Sequence, residues 1–410
     1  MEFYDQLETR SAPERHAALV AALREQVAHA RALAPAYARI LAEVDPEAVA
    51  DLSALALIPV TRRSRLLALQ RDLPPFGGLV PTPLDQVARV FQSPGPLYEP
   101  EGRQPDYWRF ARALHAAGVR RGDLIHNAFS HHFTPAGAML EGGAAALGCP
   151  LFPAGPGQSE LQVRAIGDLR PRVYVGTPSF LAILIDKAVE IGRDISSLGR
   201  ALVSGEAIAP GLRERLVSRG IELYQAYASA DLGLIAYESS AHEGLICDEG
   251  VYVEIVRPGT DQPVPDGEVG EVVVTSLNPL YPLIRFGTGD LSAVLPGVSP
   301  CGRSNRRIRG WLGRADQSTK VCGLFLHPEQ VAGVLARHPA LLRARLEVSR
   351  RGDQDLLTLR CEVAENEDGL AECVAGTLRD ICMLPGEVLL LPAGSLANDG
   401  KVVDDQRSQE

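Results

Sequence analysis

Residues 172–190 read RVYVGTPSFLAILIDKAVE, in which a short apolar segment is joined to a longer one by a Gly-Thr-Pro turn. Valine and tyrosine dominate residues 172–175, which is typical of a buried strand. The apolar residues of 179–190 recur at helical spacing, so this part is predicted to be a helix. A strand followed at once by a helix is the repeating step of a parallel α/β sheet.

The same alternation runs on both sides of this stretch. Strands are predicted at 123–129, 200–203 and 221–225, and helices at 107–117, 135–147 and 210–218. Ligands bind such sheets at the carboxyl ends of the strands. We therefore expect the ligand-binding and catalytic residues in the loops that follow Val175, Val203 and Gln225.

The N-terminal region differs in composition and in the spacing of its apolar residues. Residues 13–44 are rich in Ala, Leu, Arg and Glu, and Leu19, Leu23 and Val27 recur every four residues. This spacing predicts an amphipathic helix that packs on the main body. Prolines and glycines between 59 and 83 then predict an irregular segment that leads into a strand at 87–93.

After Asp248 the sequence becomes β-rich, and from Gly313 it resembles a separate α+β unit. The predicted elements are strands at 251–256, 270–275, 291–295, 342–348 and 356–363, and helices at 328–337 and 369–379. Domains of about a hundred residues fold on their own. We therefore predict a large domain over 1–312, with a helical lead-in over 1–86 and a β-rich part over 248–312, and a small domain over 313–410.

Composition excludes several classes of protein. The 410 residues are 46% hydrophobic and 22% charged, which is typical of a globular chain. The 41 Lys and Arg against 51 Asp and Glu leave a net charge of −10, which argues against nucleic acid as a partner. No stretch approaches the ~20 apolar residues of a membrane span. Seven scattered cysteines without a CxxC pair, and no apparent secretory signal, predict a reduced, cytoplasmic protein.

Four short motifs carry the chemical signal. Residues 284–291 read IRFGTGDL, and a carboxylate at Asp290 on a Gly-Thr-Gly turn suits the two hydroxyls of a ribose. Taken alone, a turn-stabilising Asp290 is the simpler explanation. The other three motifs are SGE at 204–206, YASADLG at 227–233 and GRADQSTKVCG at 313–323. In this order the four resemble the acyl-adenylating superfamily, and most closely the phenylacetate-CoA ligase family.

The resemblance extends from about residue 87 to residue 404, and further stretches of similar sequence lie at 175–181, 266–271 and 394–401. It implies an α/β fold with a large N-terminal domain of parallel sheets, a β-rich subdomain and a small mobile α+β domain. It also implies that an aromatic carboxylic acid is joined to AMP from ATP, with Mg²⁺, and passed to coenzyme A. A homodimer is what the family suggests.

Site residues follow from the same resemblance. Lys401 matches the adenylation lysine, because a cation there offsets charge gathered on the α-phosphate; a solvated tail lysine is the alternative. Asp231 stands where the family has Glu and would hold Mg²⁺. Arg314 matches the arginine that contacts the ribose or the phosphate, and Asp316 matches the hinge about which the small domain would rotate. For either residue, a surface salt bridge is the alternative explanation. The remaining nucleotide-binding candidates are Gly205, Glu206, Tyr227, Ala228 and Ser229.

Besides Asp231, the phosphate loop and Cys322 depart from the family. Its glycine-rich phosphate loop with a lysine is replaced by QSPGPLYEP at 92–100, where two prolines remove N–H donors and Glu99 reverses the lysine's charge. Only Ser93 and Gly95 remain as phosphate contacts. Cys322 stands where an arginine is usual, which affects the expected thioester-forming step.

The acid is expected to bind at residues 127–137, NAFSHHFTPAG, which correspond to the family's aryl pocket. Phe133 would stack on an aromatic ring, and His131 or His132 would meet a ring substituent or the carboxylate. Core packing explains Phe133 almost as well.

Three alternatives stay open. His242, Cys247 and Cys301 lie where some relatives carry Cys and His, but a structural zinc needs four ligands with close pairs, so free thiols are favoured. The acyl acceptor is either CoA or another group. Finally, the altered phosphate loop is compatible with a silent relative that only binds a small acid or nucleotide.

Overall fold

The computed structural model describes residues 2–49, 51–321, 324–351, 354–365 and 367–407. The chain packs into two compact units, each built from three segments. Unit 1 comprises Met1–Val253, Val274–Phe286 and Leu295–Trp311, and unit 2 comprises Glu254–Val273, Gly287–Val294 and Leu312–Glu410. A boundary between independent domains at residue 313 stays a prediction.

Eleven α-helices lie in the described part of the chain. They are α1 (Ala12–Leu33), α2 (Pro35–Ile40), α3 (Leu52–Leu55), α4 (Arg63–Asp72), α5 (Phe110–Ala116), α6 (Ala136–Leu147), α7 (Ser159–Leu169), α8 (Pro178–Glu190), α9 (Pro210–Val217), α10 (Pro328–Arg337) and α11 (Leu370–Cys382).

The N-terminal predictions were only partly right. A capping box between Ser11 and Glu14 starts α1, and the helical region predicted over 13–44 is divided at Ala34 into two helices. Pro35 lacks an N–H to continue the hydrogen-bond ladder and begins α2 instead. The segment predicted to be irregular contains α4, because its prolines flank the ten helical residues rather than interrupt them.

The described residues form 21 strands. They are β1 (Thr61–Arg62), β2 (Arg89–Ser93), β3 (Leu97–Glu101), β4 (Ile125–Asn127), β5 (Leu151–Pro153), β6 (Val173–Gly176), β7 (Arg200–Val203), β8 (Glu222–Ser229), β9 (Gly233–Glu238), β10 (Leu245–Cys247), β11 (Val251–Val256), β12 (Gly270–Ser276), β13 (Phe286–Ser292), β14 (Val294–Leu295), β15 (Arg307–Ile308), β16 (Thr319–Val321), β17 (Leu324–Leu326), β18 (Leu341–Arg351), β19 (Gln354–Val363), β20 (Glu387–Pro392) and β21 (Val403–Asp405).

The largest sheet has the strand order β14-β15-β10-β9-β8-β7-β6-β4-β5. Its β5-β4-β6-β7-β8 part is parallel, as the alternating sequence predicts. The strands β9, β10 and β15 extend it in antiparallel fashion beyond β8. A second sheet orders β1-β13-β12-β11, and β2 and β3 form a separate hairpin.

Helices cover both faces of the parallel sheet. Val173, Val175 and Leu202 pack in one buried cluster with side chains of α5 and α6. Tyr174 and Ala201, the intervening residues, pack in another cluster with side chains of α7 and α8. Successive side chains of a strand point to opposite faces, so an unbroken apolar run is what a doubly covered strand requires. The expected α/β class is confirmed.

In unit 2 the main sheet has the order β20-β19-β18-β21. The strands β18 and β19 form a long antiparallel hairpin, while β20 runs parallel to β19 and β21 parallel to β18. Apolar residues of α10 and α11, including Val334 and Leu378, pack against Leu346 and Leu359 of this sheet. Across the described residues, no helix has the length and apolarity needed to cross a membrane.

Candidate functional site

The loops after β4, β6 and β7 lie at one edge of the parallel sheet. The register pairs Asn127 with Val175 and Val175 with Leu202, so these strands end together. Gly205 follows β7 with φ +84°, and a Cβ there would lie 3.7 Å from Cγ2 of Thr177 and 3.9 Å from Cε1 of Phe129. The candidate Gly205 therefore lies close to the loops that follow β4 and β6.

Glu206 is tied to the helix that follows β6. Its Oε1 accepts a hydrogen bond from Oγ of Ser179 at 2.7 Å, and the side chain is exposed at this sheet edge. Ser179 stands in the first turn of α8, where a carboxylate is favoured by the helix dipole. Glu206 therefore joins the loop that follows β7 to the first turn of the helix that follows β6.

The candidates Tyr227, Ala228 and Ser229 lie in β8, and not in a loop after Gln225 as the sequence suggested. The prediction was wrong because β8 continues by pairing with β9, from Tyr227 opposite Ala236 to Ser229 opposite Gly233. The register shifts between Tyr227 and Ala228, and such bulges re-aim the neighbouring side chains.

The altered phosphate loop is a tight β-hairpin turn. The strands β2 and β3 pair from Arg89 opposite Glu101 to Ser93 opposite Leu97, which leaves residues 94–96 as the turn. Two of these three residues are prolines without an N–H, so Gly95 alone offers a backbone donor there. The turn therefore cannot cradle a phosphate through successive backbone N–H groups.

Glu99 points into the protein beneath this turn. Its side chain is 0% exposed, and Oε1 lies 2.5 Å from Oγ of Ser93. Burial, and then the negative charge of Asp231, raise the pKa of Glu99 to about 8. The carboxyl group is therefore mostly protonated and neutral at neutral pH.

Asp231 lies in the turn between β8 and β9 and is buried. Its Oδ2 accepts a hydrogen bond from Nη1 of Arg63 at 3.1 Å. Burial raises the pKa of Asp231, and the guanidinium of Arg63 opposes this rise. Arg63 therefore brings a guanidinium group to the buried Asp231 side chain, next to the hairpin turn.

Arg63 is a neighbour of these candidate residues that the sequence did not reveal. It is the first residue of α4, and its Nη2 donates to Oγ of Ser93 at 2.9 Å and to the carbonyl oxygen of Pro94 at 2.8 Å. The only signal in the sequence is the basic run of Arg62, Arg63 and Arg65 within a segment taken to be irregular. Nothing in that run distinguishes Arg63 from its neighbours.

Asp231 also fits an ion such as Mg²⁺. Its Oδ1 is buried and has no hydrogen-bond partner among the described residues. A carboxylate oxygen of this kind suits Mg²⁺, which usually binds through one or two carboxylates together with substrate phosphates and water. The arrangement is compatible with an ion held partly by a nucleotide, rather than by a cage of protein ligands.

The predicted acid-binding segment lies beside β2, where the backbone N–H of Gln92 donates to the carbonyl oxygen of Phe133 at 2.8 Å. Phe133 is 73% exposed, which rules out the core-packing explanation. Its φ of +61° is unusual for an aromatic residue, and such strain is common at functional sites. His131 places Nδ1 3.2 Å from Oε1 of Glu141, and His132 is exposed.

In unit 2, Asp290 lies within β13 rather than on a turn, contrary to the prediction, because strand pairing continues through the Gly-Thr-Gly sequence. Its Oδ1 accepts a hydrogen bond from Nη1 of Arg314 at 3.0 Å. The guanidinium of Arg314 also makes a bidentate pair with Asp316, at 3.0 and 3.1 Å. Gly289 has φ +74°, a conformation that favours glycine, and a Cβ there would lie 2.6 Å from Nη2 of Arg314 and displace that guanidinium.

Lys401 belongs to the same unit. Its side chain is 50% exposed, and Nζ donates to Oδ1 of Asp404 at 2.7 Å. Gln317 holds the surrounding backbone, since its Nε2 donates to the carbonyl oxygen of Gly400 at 2.9 Å and its Oε1 accepts from the N–H of Val402 at 2.6 Å. Gln317 follows Asp316 directly, so the proposed hinge residue adjoins the residue that holds the Lys401 loop.

The residues weighed for zinc have other surroundings. Nδ1 of His242 lies 3.3 Å from Oε1 of Glu238. Cys247 is buried in β10, and burial raises the pKa of its thiol to about 12. The described residues contain no group of three or more His, Cys, Asp or Glu side chains placed to hold a metal ion. Cys322 lies outside the described residues.

Comparison with known proteins extends this picture. The AMP-binding enzyme family matches residues 125–279. Phenylacetate-coenzyme A ligase from Aromatoleum evansii is 32% identical over 375 residues, which cover 87% of this chain and 83% of the relative. The enzyme of the same name from Thermus thermophilus is 32% identical over 386 residues, covering 89% and 85%.

Solved structures agree with the sequence relatives. An open conformation of 2-hydroxyisobutyryl-CoA ligase, in complex with 2-HIB-AMP and CoA, is similar with a TM-score of 0.72 at 26% identity. The similarity covers 95% of this chain and 90% of that one. The expected acyl-adenylating fold is confirmed, and the chain belongs to the phenylacetate-CoA ligase family.

Proposed function

We propose that the protein is an ATP-dependent ligase that converts an aryl or arylacetic acid to its CoA thioester. The acid's carboxylate attacks the α-phosphorus of ATP, which forms acyl-AMP and releases pyrophosphate. The thiol of CoA then attacks the acyl carbon, forms the thioester and releases AMP. The proposal rests on identities between 29% and 32% with four phenylacetate-CoA ligases over between 87% and 91% of this chain.

Asp290 and Arg314 are proposed to bind the ribose of the nucleotide. A carboxylate accepts the hydrogens of both ribose hydroxyls, and the hydrogen bond from Arg314 fixes one of its oxygens. The guanidinium remains half exposed and can contact a second acceptor. Asp316, which pairs with the same guanidinium, is the proposed hinge residue.

Lys401 is the proposed catalytic cation of the adenylation step. Negative charge gathers on the phosphate oxygens as the carboxylate attacks, and an ammonium group at that point stabilises the transition state. Its side chain is half exposed and, among the described residues, is paired with the one carboxylate of Asp404, so it can exchange that partner for substrate. An exposed ion pair of this kind is worth about 1 kcal/mol or less.

In unit 1, the adenine and the phosphates are proposed to be bordered by five residues: Gly205, Glu206, Tyr227, Ala228 and Ser229. They stand at the carboxyl end of the parallel strands, where such sheets bind ligands. Ser93 and Gly95 are the proposed phosphate contacts of the hairpin turn.

Asp231 is the proposed protein ligand of Mg²⁺, through its unpartnered Oδ1. When bound, the ion would neutralise phosphate charge and orient the nucleotide.

Phe133 is proposed to stack on the ring of the acid, with His131 beside it. The Phe133 side chain is exposed and its backbone is strained, and both observations support a contact with a ligand. A residue that only packed in the core would be buried and would not require a strained backbone. A homodimer and a cytoplasmic location complete the proposal. Sedimentation of the purified chain and fractionation of expressing cells test these two points.

The altered hairpin favours a second candidate, a relative that binds nucleotide or acid without catalysis. Its turn lacks the backbone donors and the lysine of a phosphate cradle. Retention of Asp290, Arg314 and Lys401 opposes this candidate, since a silent protein has no use for a transition-state lysine. Transfer of the acyl group to an acceptor other than CoA is the remaining alternative.

Pyrophosphate exchange separates these functions. The chain is incubated with ATP, labelled pyrophosphate and a panel of aryl acids, beside Lys401→Ala and Asp290→Ala. Acid-dependent exchange that both variants lose supports adenylation, and CoA-dependent AMP release then identifies the acceptor. Nucleotide binding without exchange for any acid supports the silent alternative, and equal exchange in all three proteins contradicts the site assignment.

A further inference from the structure

Arg63 and the hairpin turn between β2 and β3 form a cation site that replaces a phosphate loop. We propose that Arg63 binds the terminal phosphates of ATP, in place of the loop lysine that this chain lacks. The inference rests on the proposed function, because it specifies how the same site handles the part of ATP that leaves as pyrophosphate.

The geometry places Arg63 where a loop would otherwise hold phosphate. Its Nη2 contacts both Oγ of Ser93 and the carbonyl oxygen of Pro94, and its Nη1 contacts Asp231. These bonds use three of the five N–H groups of a guanidinium. The described residues present no hydrogen-bond acceptor to the other two, so the group retains donors for a ligand.

Exposure separates Arg63 from its partners. The side chain of Arg63 is 40% exposed, whereas that of Asp231 is 1% exposed. Glu99, at the position of the lysine, is wholly buried and turned toward Ser93. Of these three charged side chains around the turn, Arg63 is therefore the most exposed to a dissolved nucleotide.

The charges lead to the same assignment. Glu99 supplies no positive charge, and its buried carboxyl would oppose phosphate if it ionised. No other described cationic side chain forms an ion pair or hydrogen bond with Ser93, Glu99 or Asp231, so Arg63 is the side chain that brings positive charge to this turn. Asp231 balances the guanidinium while no ligand is bound and holds it in place.

The chemistry of the turn requires a side chain for this task. Prolines at 94 and 96 leave one backbone N–H in the turn, whereas a phosphate cradle uses several. The guanidinium offers a planar fork of donors that matches phosphate oxygens, and bonds of this kind are among the strongest in proteins. Arg63 thus compensates for donors that the backbone does not provide.

The test compares affinities of the purified full-length chain for ATP and AMP by equilibrium titration. Arg63→Ala is compared with Arg63→Lys and with Arg71→Ala, a control in the last turn of the same helix whose side chain is exposed. ATP carries the terminal phosphates and AMP does not, so Arg63→Ala should weaken ATP binding about tenfold or more while AMP affinity changes by about twofold at most. Arg63→Lys should recover part of the loss, and Arg71→Ala should match the unmodified protein.

Two results would overturn the assignment. One is an ATP affinity of Arg63→Ala within about twofold of the Arg71→Ala control. The other is an equal loss of ATP and AMP affinity together with a lower Tm, which would mean that Arg63 only holds the hairpin. Neither titration needs acid or CoA.

The unmodified chain distinguishes failure of this assignment from failure of the proposed function. If it binds ATP but exchanges no pyrophosphate, only the proposed function is contradicted. If it binds no ATP, the proposed function and the role of Arg63 are both contradicted.

Discussion

Glu99 and Ser93 share a hydrogen bond of 2.5 Å across the β2–β3 hairpin, and the carboxyl group of Glu99 is wholly buried. No described cation is paired with this carboxyl group, since the adjacent guanidinium of Arg63 bonds to Asp231 and Ser93. A buried carboxyl without a paired cation is stabilised by protonation. The charge reversal seen in the sequence is therefore cancelled by burial at neutral pH.

Glu99 makes stability depend on pH. Burial, reinforced by Asp231, raises its pKa from 4.5 to about 8, so the folded chain keeps a proton that the unfolded chain releases between these values. The free energy of unfolding should thus fall as pH rises through this window. Glu99→Gln removes this contribution, so the stability of the variant relative to the unmodified protein should increase by on the order of 5 kcal/mol across the window.

Urea denaturation at several pH values across the window measures this difference. Glu43→Gln, at an exposed glutamate, serves as the control and should follow the unmodified protein. A constant difference between Glu99→Gln and the unmodified protein at all pH values would show that Glu99 does not carry the proton.

Asp404 restrains Lys401. Asp404→Asn weakens the 2.7 Å ion pair and should raise the rate of pyrophosphate exchange up to about fivefold, because Nζ is easier to transfer to substrate. Thermal melting should show little change, since the lysine is half exposed. A rate that falls to the level of Lys401→Ala would mean that Asp404 orients the lysine instead.

Asp290 and Asp316 share Arg314 but should affect different steps. Asp290→Asn removes the charged acceptor for ribose and should raise the KM for ATP about tenfold. Asp316→Asn should leave pyrophosphate exchange nearly unchanged and slow the CoA-dependent release of AMP. Equal effects of the two variants on exchange would indicate that both act only by holding Arg314.

Arg285 is a structural member of the Ile-Arg-Phe-Gly-Thr-Gly-Asp motif. It is 0% exposed, and its Nη1 donates to the carbonyl oxygens of Ala56 and Ile58. Arg285→Met leaves these carbonyls without that donor and should lower the free energy of unfolding by about 3 kcal/mol in urea denaturation. Arg71→Met, at an exposed arginine, should change it by less than about 0.5 kcal/mol.

Phe133 should matter for the acid and not for folding. Phe133→Ala removes a side chain that is 73% exposed, so stability should change by less than about 0.5 kcal/mol. Loss of ring stacking should raise the KM for an aryl acid about fivefold, with no effect on the KM for ATP. Leu161→Ala, at an exposed leucine of α7, is the control, and equal acid KM values for both variants would contradict the stacking role.

Much of the fold was predictable because it depends on local periodicity. The strand at Arg200–Val203 and the helices α6, α8 and α9 lie within about one residue of their predicted bounds, since apolar spacing and Pro or Gly positions determine where they begin and end. The helix α7 and the strand β5 were missed, because their short apolar runs carry a weak signal.

The errors occurred where distant segments pair. Hydrogen bonds to β9 extend β8 through Tyr227 and Ser229, and pairing within a sheet places Asp290 in a strand although its Gly-Thr-Gly sequence is typical of a turn. Strand pairing of this kind depends on partners that no local window contains.

The sequence by itself determined the parallel sheet, the edge at which its loops gather, and the absence of a lysine from the phosphate loop, because each depends on the order of residue types along the chain. Only the tertiary structure decided how that absence is compensated. It buries Glu99 and joins Arg63 to Ser93 and Asp231, which are 30 and 168 residues away along the chain. Burial and hydrogen bonding act through space, and they determine which of several similar charged residues reaches a ligand.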